Sequence, residues 1–161
     1  MKTLYKSLFF GVAMVLGMTA CDNNDELPPT GPLDNAEKLV AGTYVGEWTR
    51  ETDGTDEVIT GAGSITFSVD SENYGNNVSV MTLNSDIVDL GVTVPLKTVC
   101  NITLLSSGEF TYWNQTSSNP LGVVFYGKVS TSGVATINFS KTVRDGRKEV
   151  KYIYSFSGSK Q

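Results

Sequence analysis

The chain has 161 residues, with 12 basic and 17 acidic side chains and no histidine. A formal net charge of −5 gives no electrostatic affinity for a phosphate backbone, so nucleic acid is not an expected partner. The lack of histidine excludes Ser-His-Asp and Cys-His catalysis and histidine metal sites, and two cysteines are too few for a zinc cluster. We therefore expect a protein that is not an enzyme, with no catalytic residues, no metal site and no cofactor.

Residues 1–20 have the pattern of an export signal. Lys2 and Lys6 give a positive start, and the apolar run 8–16 is too short to span a bilayer as a permanent helix. The following Met18-Thr19-Ala20-Cys21 resembles the bacterial lipobox, with Met where Leu is commonest. The resemblance implies cleavage before Cys21 and lipid on its thiol, which would anchor the protein to a membrane. A plain signal peptide with an incidental cysteine is the alternative.

Cys100, the second cysteine, is then left single. It lies in an apolar stretch, where a small buried thiol is the simplest interpretation. A nucleophilic role would need a neighbouring base, and none is evident. We interpret Cys100 as structural.

Residues 21–38 are predicted to form a lipidated, disordered tether. The acidic stretch 22–26 precedes Pro28, Pro29 and Pro32, which cannot hold a helix or a central strand. Acidic residues after a lipidated cysteine also resemble the export signal of lipoproteins on the outer face of Bacteroides-type outer membranes. That resemblance implies the bacterial cell envelope, with anchoring in the outer membrane and display at the surface. A solvated linker without a signal is the alternative.

Residues 39–161 are predicted to form one β domain, because apolar and polar residues alternate between turn signals. Asp53-Gly54 and Asp145-Gly146 are strong hairpin signals. Only 35–40 offers a short helical turn. The predicted strands are 43–52, 58–70, 77–85, 92–96 with 99–105 as one kinked strand or two short ones, 110–115, 122–130, 134–144 and 148–157.

This order of short sequential strands predicts an all-β fold, an antiparallel up-and-down barrel of eight strands. Closure of the sheet would remove its exposed edges. An open β-sandwich is the alternative.

Four segments then resemble calycin-like (lipocalin-like) β-barrel lipoproteins of Bacteroides-type bacteria. Residues 40–48 (VAGTYVGEW) are similar to the opening strand of that family, and 125–129, 135–139 and 152–158 are similar to its closing strands. Gly46-x-Trp48 is also similar to the Gly-x-Trp motif of lipocalins.

The lipocalin resemblance implies that Trp48 plugs the base of the barrel beneath a basic side chain, for which Arg144 and Arg147 are the candidates. It also implies a cavity for an apolar ligand. Aromatic residues of the later strands would line such a cavity or simply fill the barrel: Phe125, Phe139, Tyr152, Tyr154 and Phe156.

Trp113 is the candidate for a surface site. If Phe110 and Tyr112 face inward, alternation turns Trp113 outward, and we expect Asn114 and Gln115 beside it. An exposed tryptophan flanked by amides is suited to stacking and hydrogen bonding a sugar ring. The alternative is a tryptophan that covers a neighbouring strand or loop.

Late basic residues admit two interpretations. They are Lys141, Arg144, Arg147, Lys148 and Lys151, and either they complement Glu47 and Glu51 across strands or they contact an anion.

The sequence thus predicts a non-enzymatic envelope lipoprotein that binds a small apolar or glycan-derived ligand in or at the mouth of its barrel. The alternative is a protein-interaction module, an inhibitor or an accessory subunit of an envelope complex, whose partner the sequence does not name. A hollow barrel would favour the first and a filled barrel the second.

Overall fold

The computed structural model describes residues 35–161 apart from 71, 73, 75, 76 and 88. The expected signal peptide, Cys21 and most of the expected tether lie outside the described residues. A short helix precedes eight strands in the described part: α1 (Ala36–Val40), β1 (Gly42–Thr52), β2 (Val58–Val69), β3 (Val78–Ser85), β4 (Leu96–Leu104), β5 (Phe110–Asn114), β6 (Phe125–Val129), β7 (Val134–Asp145) and β8 (Lys148–Lys160).

Each strand pairs antiparallel with the next, and β8 returns to pair with β1, so the sheet closes into a barrel. The closing register sets Trp48 opposite Phe156. The prediction of an all-β, eight-stranded, up-and-down barrel is confirmed, and the open sandwich is excluded. The architecture is compatible with a calycin-like fold.

The predicted strands differ from the observed ones chiefly around Pro95. Residues 92–95 are bent rather than extended, the Val94–Pro95 peptide bond is cis, and β4 begins only at Leu96. β6 begins at Phe125, three residues later than predicted, because the Asn119 side-chain amide donates to the Val123 carbonyl at 2.7 Å and holds the preceding segment in a turn.

Antiparallel order defines two ends of the barrel. The bottom end carries α1, the C-terminus and the β2–β3, β4–β5 and β6–β7 connections. The top end carries the β1–β2, β3–β4, β5–β6 and β7–β8 connections. Because α1 packs at the bottom against β2 and β4, the described chain both begins and ends there.

The bottom end is closed by α1. Ala36 and Val40 are fully buried, and the Tyr44 hydroxyl donates to the Val40 carbonyl at 2.9 Å. The Glu37 carboxylate accepts from the Asn77 backbone N–H at 2.7 Å. The folded unit therefore includes residues 36–38, which were predicted to belong to the tether, because Ala36 is buried and Glu37 is hydrogen-bonded to Asn77.

The inner face of the barrel is filled with side chains. Alternate residues of every strand point inward, and the largest of them expose less than 2% of their surface: Trp48, Tyr44, Tyr112, Tyr154, Phe67, Phe125, Ile65, Met81, Leu83 and Ile102. Several of these side chains contact one another ring to ring, as Tyr44 does with Phe67 and Trp48 with Phe156. All strands of this core lie within 35–161, so a protein that begins at residue 22 contains the whole barrel.

Candidate functional site

The aromatic residues expected to line a ligand cavity belong to the packed inner face. Phe125, Phe139, Tyr154 and Phe156 are buried, and only Tyr152 is half-buried near the top end. Phe139 and Tyr154 stack with ring centroids 5.0 Å apart, and Phe156 lies 5.1 Å from Trp48. These rings contact other side chains rather than an open space.

Trp48 lies inside the barrel, but without the expected basic cover. Its indole N–H donates to the Asn84 carbonyl at 2.9 Å, and a Cβ on Gly63 would overlap the indole ring. Arg144 and Arg147 are exposed on the β7–β8 hairpin. Trp48 is paired with Phe156, whereas Arg144 is paired with Glu149, which lies nearer the top end of β8 by roughly 23 Å at 3.3 Å per residue.

A different arginine covers an inner aromatic ring. The Arg50 guanidinium carbon lies 4.8 Å from the centroid of the Tyr152 ring, a cation–π contact. Sequence reasoning did not identify Arg50, although its spacing of two residues from the inward Trp48 could have done so.

Cys100 is buried, and its thiol lies 3.8 Å from the Ser79 carbonyl. Burial raises the pKa of this thiol to about 12, so it stays protonated and poorly nucleophilic at neutral pH. The interpretation of Cys100 as structural agrees with this environment. Among the described residues, no three acidic or cysteine side chains are arranged to hold a metal ion.

The outer face of β5, β6 and β7 carries a row of side chains set by the strand register. Asn101 of β4 is paired with Trp113, Trp113 with Tyr126, and Tyr126 with Asn138. Tyr126 is 56% exposed and Trp113 is partly exposed. The row therefore presents two aromatic rings between two exposed amides, and we call these four residues the outer aromatic row.

The amides beside Trp113 are not those expected from the sequence. Asn114 points inward, where its amide donates to the Val99 carbonyl at 3.0 Å, and only Gln115 is exposed. The same alternation that turns Trp113 outward turns Asn114 inward. Asn101 and Asn138 join the row through the register of the β4–β5 and β6–β7 pairs, which alternation within a single strand does not reveal.

A shallow groove of about 480 Å³ runs beside the outer aromatic row. Gly127 and an edge of Tyr112 form its floor, because a Cβ on Gly127 would overlap the Tyr112 ring. The other lining residues each carry a side-chain group that can form hydrogen bonds: Thr111, Tyr126, Lys128, Thr136 and Asn138.

The late basic residues, expected either to pair with acids across strands or to contact an anion, differ in their partners and exposure. Lys151 of β8 forms an ion pair with Asp53 of the β1–β2 turn at 3.5 Å, and not with Glu47 or Glu51 as expected. Glu47 and Glu51 are exposed. Arg144, Arg147 and Lys148 are exposed as well, whereas Lys141 is half-buried and points inward.

Comparison of the chain with protein-family models, curated proteins and solved structures finds no match. In the described residues, no helix has the length and apolar character needed to cross a membrane.

Proposed function

We propose that this chain is a non-enzymatic, glycan-binding lipoprotein of the bacterial cell envelope, which binds sugar on the outside of a filled barrel. One observation carries the proposal: the outer aromatic row exposes two rings between amide side chains, while the inner aromatic rings are buried. The resemblance of residues 40–48 and of the closing strands to calycin-like lipoproteins of Bacteroides-type bacteria supports the assignment to an envelope protein.

The chemistry of the row suits a neutral sugar. The C–H face of a pyranose packs against an aromatic ring, whose face is negative, while its hydroxyls bond to neighbouring amides and hydroxyls. Trp113 and Tyr126 supply the rings, and Asn101 and Asn138 supply amides on both sides. The groove beside them adds Thr111 and further hydroxyls.

Anchoring by Cys21 would leave this surface free. Ala36 lies at the bottom end of the barrel, so the chain that leads back to Cys21 joins the fold there. The outer aromatic row lies on the side wall. Labelled palmitate should enter the wild-type protein and not the Cys21→Ala variant.

The glycan proposal is tested with purified residues 22–161 and a panel of xylohexaose, maltohexaose, cellohexaose and chitohexaose. At least one should bind saturably in isothermal titration calorimetry, a readout that remains usable when Trp113 is replaced. Trp113→Ala and Tyr126→Ala should each weaken binding by at least about tenfold, the effect of losing ~1.4 kcal/mol. Val45→Ala, which alters an exposed apolar residue on β1, is the matched control. The proposal fails if no oligosaccharide binds, or if both aromatic variants bind as well as wild type.

The second candidate is an interaction module of an envelope complex. The filled inner face favours it over storage of a ligand inside the barrel, since only the surface remains for recognition. Crosslinking in intact cells should capture a defined partner, and recovery of monomer alone would count against this function.

A further inference from the structure

Two cationic side chains point into the top end of the barrel. Arg50 on β1 shares the inward face of Trp48, and Lys141 on β7 shares that of Phe139, since each pair is two residues apart. β8 lies between them, with Tyr152 paired to Lys141. Charged groups inside a barrel are uncommon because they lose hydration. They are usually compensated by an ion pair or by hydrogen bonds.

The hydrogen-bonding capacity and charge of the Arg50 guanidinium are only partly matched by its neighbours. Its side chain is 13% exposed, and its Nη1 lies 3.5 Å from the Asp89 Oδ2 in a single, long ion pair. Its Nε is buried and has no hydrogen-bond acceptor among the described residues. A guanidinium offers a fork of donors that matches a carboxylate or a phosphate, and here part of that fork is unused.

Lys141 has no carboxylate within ion-pair distance among the described residues. Loss of hydration lowers the pKa of its ammonium, and the nearby Asp89 opposes that shift. Asp89 therefore acts on both cations, but it is a single carboxylate and its side chain is 54% exposed. The other groups near the cluster are the phenols of Tyr152 and Tyr154, and the Tyr154 hydroxyl donates to the Asp89 backbone carbonyl.

A pocket of about 410 Å³, lined by both polar and apolar groups, opens beside Lys141 and is within the size range of small-molecule sites. Gly91 forms one wall against the lysine stem, where an added Cβ would lie 3.1 Å from the Lys141 Cδ. Leu121, Val123 and Val143 form the apolar part of the lining. The pocket thus combines a half-buried ammonium with an aliphatic wall.

We propose that the top end binds a small organic anion, a carboxylate or a phosphate monoester with a short aliphatic chain. The anionic head pairs with the Lys141 ammonium at the wall of this pocket, and Arg50 adds positive charge at the same end of the barrel. The aliphatic chain packs on Leu121, Val123 and Val143. This site shares no residue with the outer aromatic row, so anion binding here does not depend on glycan binding there.

The test is an NMR titration of isotope-labelled residues 22–161 with hexanoate, hexyl phosphate and hexanol. At least one anion should shift the signals of Gly91 and Lys141 saturably, with an affinity at least about tenfold above that of hexanol. The tighter of the two anions identifies the head group. Lys141→Met should weaken anion binding at least about tenfold, and Lys141→Arg should retain it.

Two further variants distinguish a specific loss of anion binding from a general loss of the folded structure. Val143→Glu adds a carboxylate to the pocket wall at a position that is already exposed, and it should repel the anions without unfolding the barrel. Lys38→Met removes an exposed cation from α1 at the bottom end and should leave the affinity unchanged. The proposal is overturned if neither anion binds, if hexanol binds as tightly, or if Lys141→Met and Val143→Glu both bind like wild type.

Discussion

Tyr112 and Trp113 are neighbours on β5, yet they belong to different environments. Tyr112 points inward, packs edge-on against Phe67 with centroids 4.8 Å apart, and donates its hydroxyl to the Thr136 carbonyl at 2.8 Å. Trp113 points outward and has no ring contact among the described residues. One strand therefore supplies a core residue and a surface residue in immediate succession.

The contrast between these two faces separates stability from binding. An aromatic ring on the inner face is surrounded by side chains, so its removal leaves a cavity and it cannot meet a ligand. A ring on the outer face stabilises the fold little and remains free to stack against a ligand. The following four predictions test whether the two faces differ in this way.

The largest effect is expected for Tyr112→Ala. Loss of this buried ring should lower the free energy of unfolding by about 3–5 kcal/mol, the range for buried aromatic side chains. Trp113→Ala should lower it by only about 0.5 kcal/mol, as at other surface positions. Urea denaturation of both variants measures the difference, and equal losses would contradict the division into two faces.

The next effect is a loss of stability in alkali. Burial, with a smaller contribution from Asp89, raises the pKa of the Tyr154 hydroxyl to about 12 from 10.0. A raised pKa favours the protonated phenol in the folded state, so its contribution is complete below pH 10 and is lost as the pH rises towards about 12. The free energy of unfolding should fall across that interval, and less steeply in Tyr154→Phe. An unchanged slope in the variant would contradict the assignment.

A smaller effect is expected for Tyr112→Phe. This change keeps the packed ring and removes the hydrogen bond to the Thr136 carbonyl, so it should lower the free energy of unfolding by about 0.5–1.5 kcal/mol. The matched control is Tyr126→Phe on the outer face, which should change it by less than about 0.5 kcal/mol. Thermal denaturation of the pair compares them directly, and a larger loss in the control would reverse the comparison.

The smallest change in stability is expected for Trp113→Phe, which should nevertheless clearly change how far iodide quenches the tryptophan fluorescence. Iodide should quench the emission of Trp113 but not that of Trp48, which is fully buried. In Trp113→Phe the remaining emission should therefore resist quenching, with the free energy of unfolding changed by no more than about 0.5 kcal/mol. Strong quenching in that variant would mean that Trp48 is open to solvent.

Sequence patterns predicted the strands well where local signals are strong. The Asp53-Gly54 and Asp145-Gly146 turns mark hairpins in which Gly54 and Gly146 have positive φ angles of 77° and 62°. Prediction was poorest for residues 92–96, where the chain bends before β4 and alternation carries no information. Arg50 was not predicted from the sequence, because the lipocalin resemblance implies a basic side chain from a late strand, such as Arg144 or Arg147, and Arg50 lies on β1.

The sequence by itself determined the strands, their turns and the face to which Tyr112 and Trp113 belong, because alternation is a local property of an extended chain. Only the tertiary structure decided that the interior is filled, that Tyr126 pairs with Trp113 and Asn138 with Tyr126, and that Asp89 lies near both Arg50 and Lys141. These relations depend on the register between paired strands, on the closure of the barrel and on how the side-chain volumes fit together. Neither is encoded in the pattern of any single segment.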